Sequence, residues 1–194
     1  MTRRQYYSSE AKLKSLKVPY DAYVTPEIAV KELLKREKFT GQGWEPAVGT
    51  GVIAKYFPGI LTSDIRGEEL GVETQDFLKA SKQVDFIITN PPYCYQFEFV
   101  ETALRLARLK VAMFLRLQFL ESRQRYHLFQ KYQPSKVYVF SNRLCCLTED
   151  GKPTGVMIPF CWIIWDKNYK GPTILDWILS EDPNAKLFQK MGKK

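Results

Sequence analysis

The stretch Val84-Asp85-Phe86-Ile87-Ile88-Thr89-Asn90-Pro91-Pro92-Tyr93 sets the frame for the rest of the chain. Its first six residues form an apolar run with the pattern of a buried strand. Proline after asparagine pushes Asn90 into an extended backbone, and the second proline stiffens the residue after it, so the loop leaving the strand is held nearly rigid. A fixed loop can aim its polar groups. The Asn90 side-chain oxygen and the Pro91 carbonyl can both accept from one planar amino group, while the Tyr93 ring offers a flat face for stacking. Together they describe a pocket for an aromatic amine or amide. Such a nitrogen is a poor nucleophile because its lone pair is delocalised. Two acceptors drawing on its N–H bonds favour the pyramidal, lone-pair-localised nitrogen of a transition state. The plainer reading is that two prolines merely end a strand.

Upstream, Asp21-Ala22-Tyr23-Val24-Thr25-Pro26-Glu27 leads into Ile28, Val30, Leu33 and Leu34 at near-helical spacing. Thr25 suits the N-cap, Pro26 the first helical position and Glu27 the positive end of the helix dipole. A helix start of this kind also leaves backbone N–H groups able to bind a carboxylate. Next, Gly43-Trp44-Glu45-Pro46-Ala47-Val48-Gly49-Thr50-Gly51 and the residues after it fit a strand, a glycine turn and a helix. Gly49 and Gly51 let the backbone approach a ligand closely, although a lone G-x-G is a weak signal. About fifteen positions past Gly49 a second apolar segment ends in Asp64, the spacing of a carboxylate that holds a ribose. The third glycine of the dinucleotide fingerprint is missing, so a nucleoside ligand without pyrophosphate fits better. Asp76 and Phe77, after a short third strand, suit either an adenine amino group and its face or an ordinary helix cap.

Downstream, Val100, Ala103, Leu104 and Ala107 form a helical stripe that predicts a helix over 97–108. A strand over 110–117, a helix over 121–132 and strands over 136–140 and 160–165 follow, with residues 141–158 an exposed hairpin or loop. From Thr173, Leu175, Ile178 and Leu179 predict a closing helix. Strands alternating with helices argue an α/β sheet with parallel strands.

The chain has 194 residues and a net charge of +8, which suits a polyanionic partner without requiring one. Residues 1–17, with Arg3, Arg4, Lys12, Lys14 and Lys17, read as a basic arm, and a solvated tail explains the same composition. Residues 18–194 read as one domain, with 141–158 a short candidate recognition loop. Cys94, Cys145, Cys146 and Cys161 show no C-x-x-C spacing and there is a single histidine, His127, so no metal site is expected and the thiols read as reduced and buried. The N-terminal residues carry no apolar signal core and no run is long enough to span a membrane, so a cytoplasmic location is expected. Arg116, Arg123, Arg125 and Arg143 are candidate phosphate contacts, with solvated helix faces explaining Arg123 and Arg125 equally well. His127 is assigned no catalytic role.

Taken in order, the Thr-Pro helix start, the glycine loop, the acidic strand end, Asp76-Phe77 and Asn90-Pro91-Pro92-Tyr93 resemble the S-adenosylmethionine-dependent amino-methyltransferases over about residues 20–166. They are most similar to adenine-specific DNA methyltransferases of the short phage and prophage type. Tyr138 to Arg143 and Trp162 to Asp166 are looser matches. The resemblance implies a Rossmann-like class I fold, a seven-stranded, mostly parallel sheet with its last strand antiparallel and helices on both faces. It places Tyr23, Thr25 and Pro26 against the methionine part of the cofactor, with Glu45, Ala47, Gly49 and Gly51 in the same cleft. Asp64 would take the ribose, and Asp76 with Phe77 the cofactor adenine. Asn90, Pro91, Pro92 and Tyr93 would hold the target base, with Asn90 also facing the cofactor.

The activity implied is transfer of the S-adenosylmethionine methyl to the exocyclic amino group of adenine in double-stranded DNA by in-line attack, leaving S-adenosylhomocysteine. The base would swing out of the duplex to reach the pocket. The same chemistry on RNA, methylation of a glutamine amide in a protein, and a non-catalytic nucleic-acid-binding module are the competing readings. Larger members carry a sizeable recognition region, for which only 141–158 and the termini are available here.

Overall fold

The computed structural model describes residues 23–150 and 152–180. The expected basic arm at 1–17 lies outside the described residues.

Strands β1 (Gly43–Glu45), β2 (Leu61–Asp64), β3 (Glu73–Thr74), β4 (Val84–Thr89), β5 (Ala107–Arg116), β6 (Lys136–Phe140), β9 (Phe160–Asp166) and β10 (Ile174–Ile178) form one sheet in the order β10-β6-β9-β5-β4-β1-β2-β3. All neighbours are parallel except those of β9, which runs antiparallel between β5 and β6. This is the mixed, mostly parallel sheet that the sequence predicts, with an eighth strand added at the edge. Strands β7 (Leu144–Leu147) and β8 (Pro153–Ile158) pair with each other as a separate hairpin within the expected 141–158 segment.

Side-chain alternation packs both sheet faces. On β9, Cys161, Ile163 and Trp165 enter one core with Val111, Met113 and Leu115 of β5. Phe160, Trp162 and Ile164 enter the other with Phe114 and Tyr138. Helix α1 (Glu27–Leu34) covers the second face through Ala29, Val30 and Leu33, and the fully buried Trp162 ring donates its N–H to the Ala29 carbonyl at 2.9 Å. A short helix α2 (Gly67–Leu70) follows β2. Helix α3 (Gln96–Leu106) lays Phe99, Val100, Ala103 and Leu104 on the first face, and α4 (Arg123–Lys131) adds Leu128. Each fully buried aliphatic or aromatic side chain contributes about 1.5–3 kcal/mol of transfer free energy, so these two cores hold the sheet in place under the site.

Three local expectations are corrected. The helix begins one residue later than Thr25 suggests. Pro26 is the N-cap, extended at ψ 126°, and its carbonyl accepts from Ala29 N–H at 2.9 Å. The residue before a proline is itself driven away from helical angles, so Thr25 stays in the approach and is buried there. After the glycines only a single 3-10 turn forms, Ala54–Tyr56, because Pro58 and Gly59 stop the chain before a longer helix can develop. The segment from Ile174 is strand β10, pairing in parallel with β6 from Ile174 opposite Lys136 to Ile178 opposite Phe140. Leu175, Trp177 and Leu179 also alternate at strand spacing, and the free edge of β6 decides between the two periods.

Candidate active site

Because β1, β2 and β4 are parallel, their carboxyl ends lie at one edge of the sheet, where β1 sits between β2 and β4 at the reversal of strand order. Crevices at such reversals are where open α/β sheets bind ligands. Here a cavity of about 530 Å³ opens at that point, within the range of small-molecule sites.

The glycine turn after β1 forms one wall. Gly49 and Gly51 have positive φ, at 49° and 75°, and a Cβ at either would meet no atom within 4 Å. The backbone conformation therefore asks for glycine while leaving the space in front of it open. Gly49 N–H donates to Asp64 Oδ2 at 3.1 Å and Arg66 N–H donates to Asp64 Oδ1 at 3.0 Å, so the carboxylate at the end of β2 is held from both sides. Each oxygen keeps a second acceptor direction for a hydroxyl pair.

Asp76 serves as a cap and also stands at the cavity. It caps the 3-10 turn Phe77–Lys79 by accepting from Leu78 N–H at 3.1 Å, and it lines the cavity. Phe77 is buried against Trp44 and Phe99, at ring separations of 5.2 and 5.0 Å, with an edge toward the cavity.

At the end of β4, Asn90 Nδ2 donates to the Tyr23 carbonyl at 3.2 Å. Its Oδ1 is shielded from solvent and has no hydrogen-bond partner. Asn90, Pro91, Pro92 and Tyr93 all line the cavity. The Tyr93 ring stacks on Tyr23 with centroids 5.1 Å apart and planes 16° from parallel, and the Arg116 guanidinium carbon lies 3.8 Å from the Tyr93 centroid.

Of the other residues singled out in the sequence, Tyr23 and Ala47 line the cavity, whereas Thr25, Pro26, Glu45 and Gly51 are not among its lining residues. Glu45 is buried beneath the glycine turn. Burial pushes its carboxyl well above the ordinary range, against the opposing Ala54 N–H and with the charge of Asp64 adding to the rise. Its Oε2 is shielded from solvent and has no hydrogen-bond partner. Arg123 is exposed on α4. Arg125 folds back instead, donating to the Glu121 carbonyl at 3.2 Å and covering Phe119. Arg143 is part-buried at the foot of the hairpin. The thiols divide: Cys145 and Cys161 are buried, Cys161 pushed up to about 12 by that burial, whereas Cys94 is exposed at the cavity, contrary to expectation.

Several lining residues carried no signal in the sequence. Arg66 stands two residues past the acidic strand end, and nothing local marks what it pairs with. Glu149, on the hairpin turn, meets it only in the fold, where the Arg66 guanidinium donates to both carboxylate oxygens at 2.6 and 3.2 Å. Together with Val24 N–H donating to the Leu147 carbonyl at 3.0 Å, this ties the hairpin across the mouth of the cavity.

Among the described residues no cluster of metal-ligating side chains occurs, and no helix is long and apolar enough to cross a membrane. No protein-family model and no curated protein matches the sequence. Solved structures do share its fold. One, described as the modification subunit of a type I restriction enzyme from Vibrio vulnificus, is 13% identical with a TM-score of 0.57, covering 93% of this chain and 52% of its own. The chain thus spans about half the length of that protein. Another, described as an RNA methyltransferase from Pyrococcus horikoshii, is 15% identical with a TM-score of 0.56, covering 83% and 98%. A third, described as a class I S-adenosylmethionine-dependent methyltransferase from Listeria monocytogenes, is 13% identical with a TM-score of 0.54, covering 95% and 75%. The fold is that of the Rossmann-like class I methyltransferases.

Proposed function

We propose that this chain transfers the methyl group of S-adenosylmethionine to the exocyclic amino group of adenine in DNA. The observation that carries the reading is the state of Asn90: its amide nitrogen is committed to the Tyr23 carbonyl, leaving a buried oxygen without a donor at the cavity. An unsatisfied buried acceptor costs about 1–3 kcal/mol, which an N–H from a bound amino group recovers.

The cofactor fits the remaining lining by chemistry. Asp64 supplies acceptors for ribose hydroxyls, Asp76 and Phe77 an acceptor and an edge for the adenine, and the open glycine turn room for the aminoacyl part. When bound, S-adenosylmethionine supplies an electrophilic methyl on a cationic sulfur. The chain's own part is placement: Asn90 Oδ1 and the Pro91 carbonyl accept from the target amino group and localise its lone pair, and Tyr93 stacks on the ring. No strong base is needed, since the nitrogen becomes acidic as the new bond forms and its proton passes to water.

The test is transfer of a labelled methyl from S-adenosylmethionine to DNA, RNA and protein offered in parallel. Label in DNA, recovered as N6-methyladenine, supports the reading. Label only in RNA moves the assignment to that substrate, only in protein to a glutamine amide, and S-adenosylmethionine binding without transfer to any of them overturns the catalytic account.

A further inference from the structure

The Tyr93 ring on which a base would stack is already occupied on both faces. Tyr23 lies parallel to it at 5.1 Å, and the Arg116 guanidinium carbon is 3.8 Å from its centroid. Two flat groups at these separations would collide on one face, so Tyr93 is sandwiched between them. A base can stack only if one of the two leaves.

The two occupants are held very differently. Tyr23 gives its carbonyl to Asn90, and its neighbour Val24 is hydrogen-bonded to Leu147, so moving Tyr23 would disturb both the motif and the hairpin. Arg116 ends β5 beside β4, three positions past Met113, which pairs with Thr89. Its Nε is shielded from solvent with no hydrogen-bond partner, and no carboxylate lies within ion-pair range of it among the described residues. The guanidinium is retained by its contact with the ring, a cation–π interaction of modest strength at the end of a long side chain.

We propose that Arg116 is a gate on the base pocket: it covers the outer face of Tyr93 in the free protein and moves to a backbone phosphate of the nucleotide whose base takes its place. This deepens the function proposed above and rests on it. A guanidinium with an orphaned N–H and no counter-ion is matched by a phosphate, which accepts its donors in a bidentate pair. Exchange of one partner for the other would let extrusion of a base and capture of its phosphate occur together. The gate also discriminates in favour of a phosphate-bearing ligand, because a nucleoside without phosphate must displace Arg116 with nothing to compensate it.

The decisive experiment uses the full chain loaded with S-adenosylhomocysteine and two fluorescent probes, 2-aminopurine deoxyriboside and a short single-stranded oligonucleotide containing 2-aminopurine, whose emission falls on stacking. For Arg116→Ala the gate predicts opposite responses. The nucleoside binds about three- to tenfold more tightly because the face is open. The oligonucleotide binds more weakly, and the slope of its log affinity against log salt falls by about 0.7, one phosphate contact. Arg116→Lys keeps the charge without the flat cover, so it raises nucleoside affinity while leaving the salt slope near that of the unsubstituted protein. S-adenosylhomocysteine affinity stays unchanged in both variants. Nucleoside affinity that is unchanged or lower in both variants overturns the gate, as does an unchanged salt slope in Arg116→Ala. A protein with the native Arg116 that binds S-adenosylhomocysteine but neither the probes nor an end-labelled oligonucleotide containing adenine overturns the proposed function as well. Same-sign responses in a protein that binds both probes overturn the gate alone.

Discussion

Asn90 donates its side-chain amide to the main-chain carbonyl of Tyr23 at 3.2 Å, and this bond decides which end of the amide is left to accept. Turned over, the amide would set two acceptors against each other. The rigid turn imposed by Pro91 and Pro92 thus fixes the backbone of the motif, while a segment far upstream fixes its side chain.

Stacking on Tyr93 rests on the ring more than on the hydroxyl. Tyr93→Ala should weaken capture of a 2-aminopurine oligonucleotide by about 5- to 100-fold, the range of base–aromatic stacking, whereas Tyr93→Phe should change it by less than about threefold. Fluorescence titration of the two variants checks this, and equal losses would assign the work to the hydroxyl.

Beneath the opposite end of the sheet, Glu37 is buried and accepts from Lys110 and Lys136, each at 2.7 Å, and from the Tyr138 hydroxyl at 2.8 Å. Burial alone would raise its carboxyl, but these bonds outweigh burial and hold it below the ordinary value of 4.5. Its stabilisation is therefore complete above that value and is lost as pH falls through the lower folded-state value. Glu37→Gln should lose about 2–3 kcal/mol at neutral pH, and the gap to the unsubstituted protein should close on acidification below about pH 4.5. Urea unfolding across pH 3–7 (about four settings suffice) measures the gap.

Ser122 begins α4 with φ 102° and ψ 151°, a conformation that side chains other than glycine's resist. Its Oγ accepts from Arg125 N–H at only 3.4 Å. Glycine is nearly as good an N-cap, so Ser122→Gly should stabilise the protein by about 1 kcal/mol, visible as a rise in Tm. A fall would mean that the hydroxyl contributes more than the strain costs.

The Arg66–Glu149 pair has one partner 39% exposed, so it should contribute less than about 1 kcal/mol to global stability. Its effect should be local. Glu149→Ala should leave Tm nearly unchanged while speeding hydrogen exchange at Val24 N–H, whose bond to Leu147 depends on the hairpin staying in place.

Much of this was legible in the sequence where local chemistry and tertiary demand agree. The apolar run of β4, the strand that ends at Asp64 and the stripe of Val100, Ala103 and Leu104 on α3 take in the fold the local structure that they suggest alone. Misreadings arose where a partner far along the chain decides. Leu175, Ile178 and Leu179 suit a helix, but Leu175 and Trp177 suit a strand as well, and only the unpaired edge of β6 selects the latter. Asp76 caps a turn and faces the cavity together, a choice its sequence left open. Glu149 and Arg116 had no local signal for what they touch, because an ion pair across the hairpin and a stack on Tyr93 join residues remote in sequence.

Whether Asn90 carries the chemistry is decided by methyl transfer with Asn90→Ala beside the unsubstituted protein, scored as N6-methyladenine in DNA digested after incubation with labelled S-adenosylmethionine. The unsubstituted protein should give product and the variant about 10²- to 10³-fold less or lower still, with S-adenosylhomocysteine affinity near normal. Undiminished transfer by Asn90→Ala would remove Asn90 from the chemistry and the proposed methyl transfer with it.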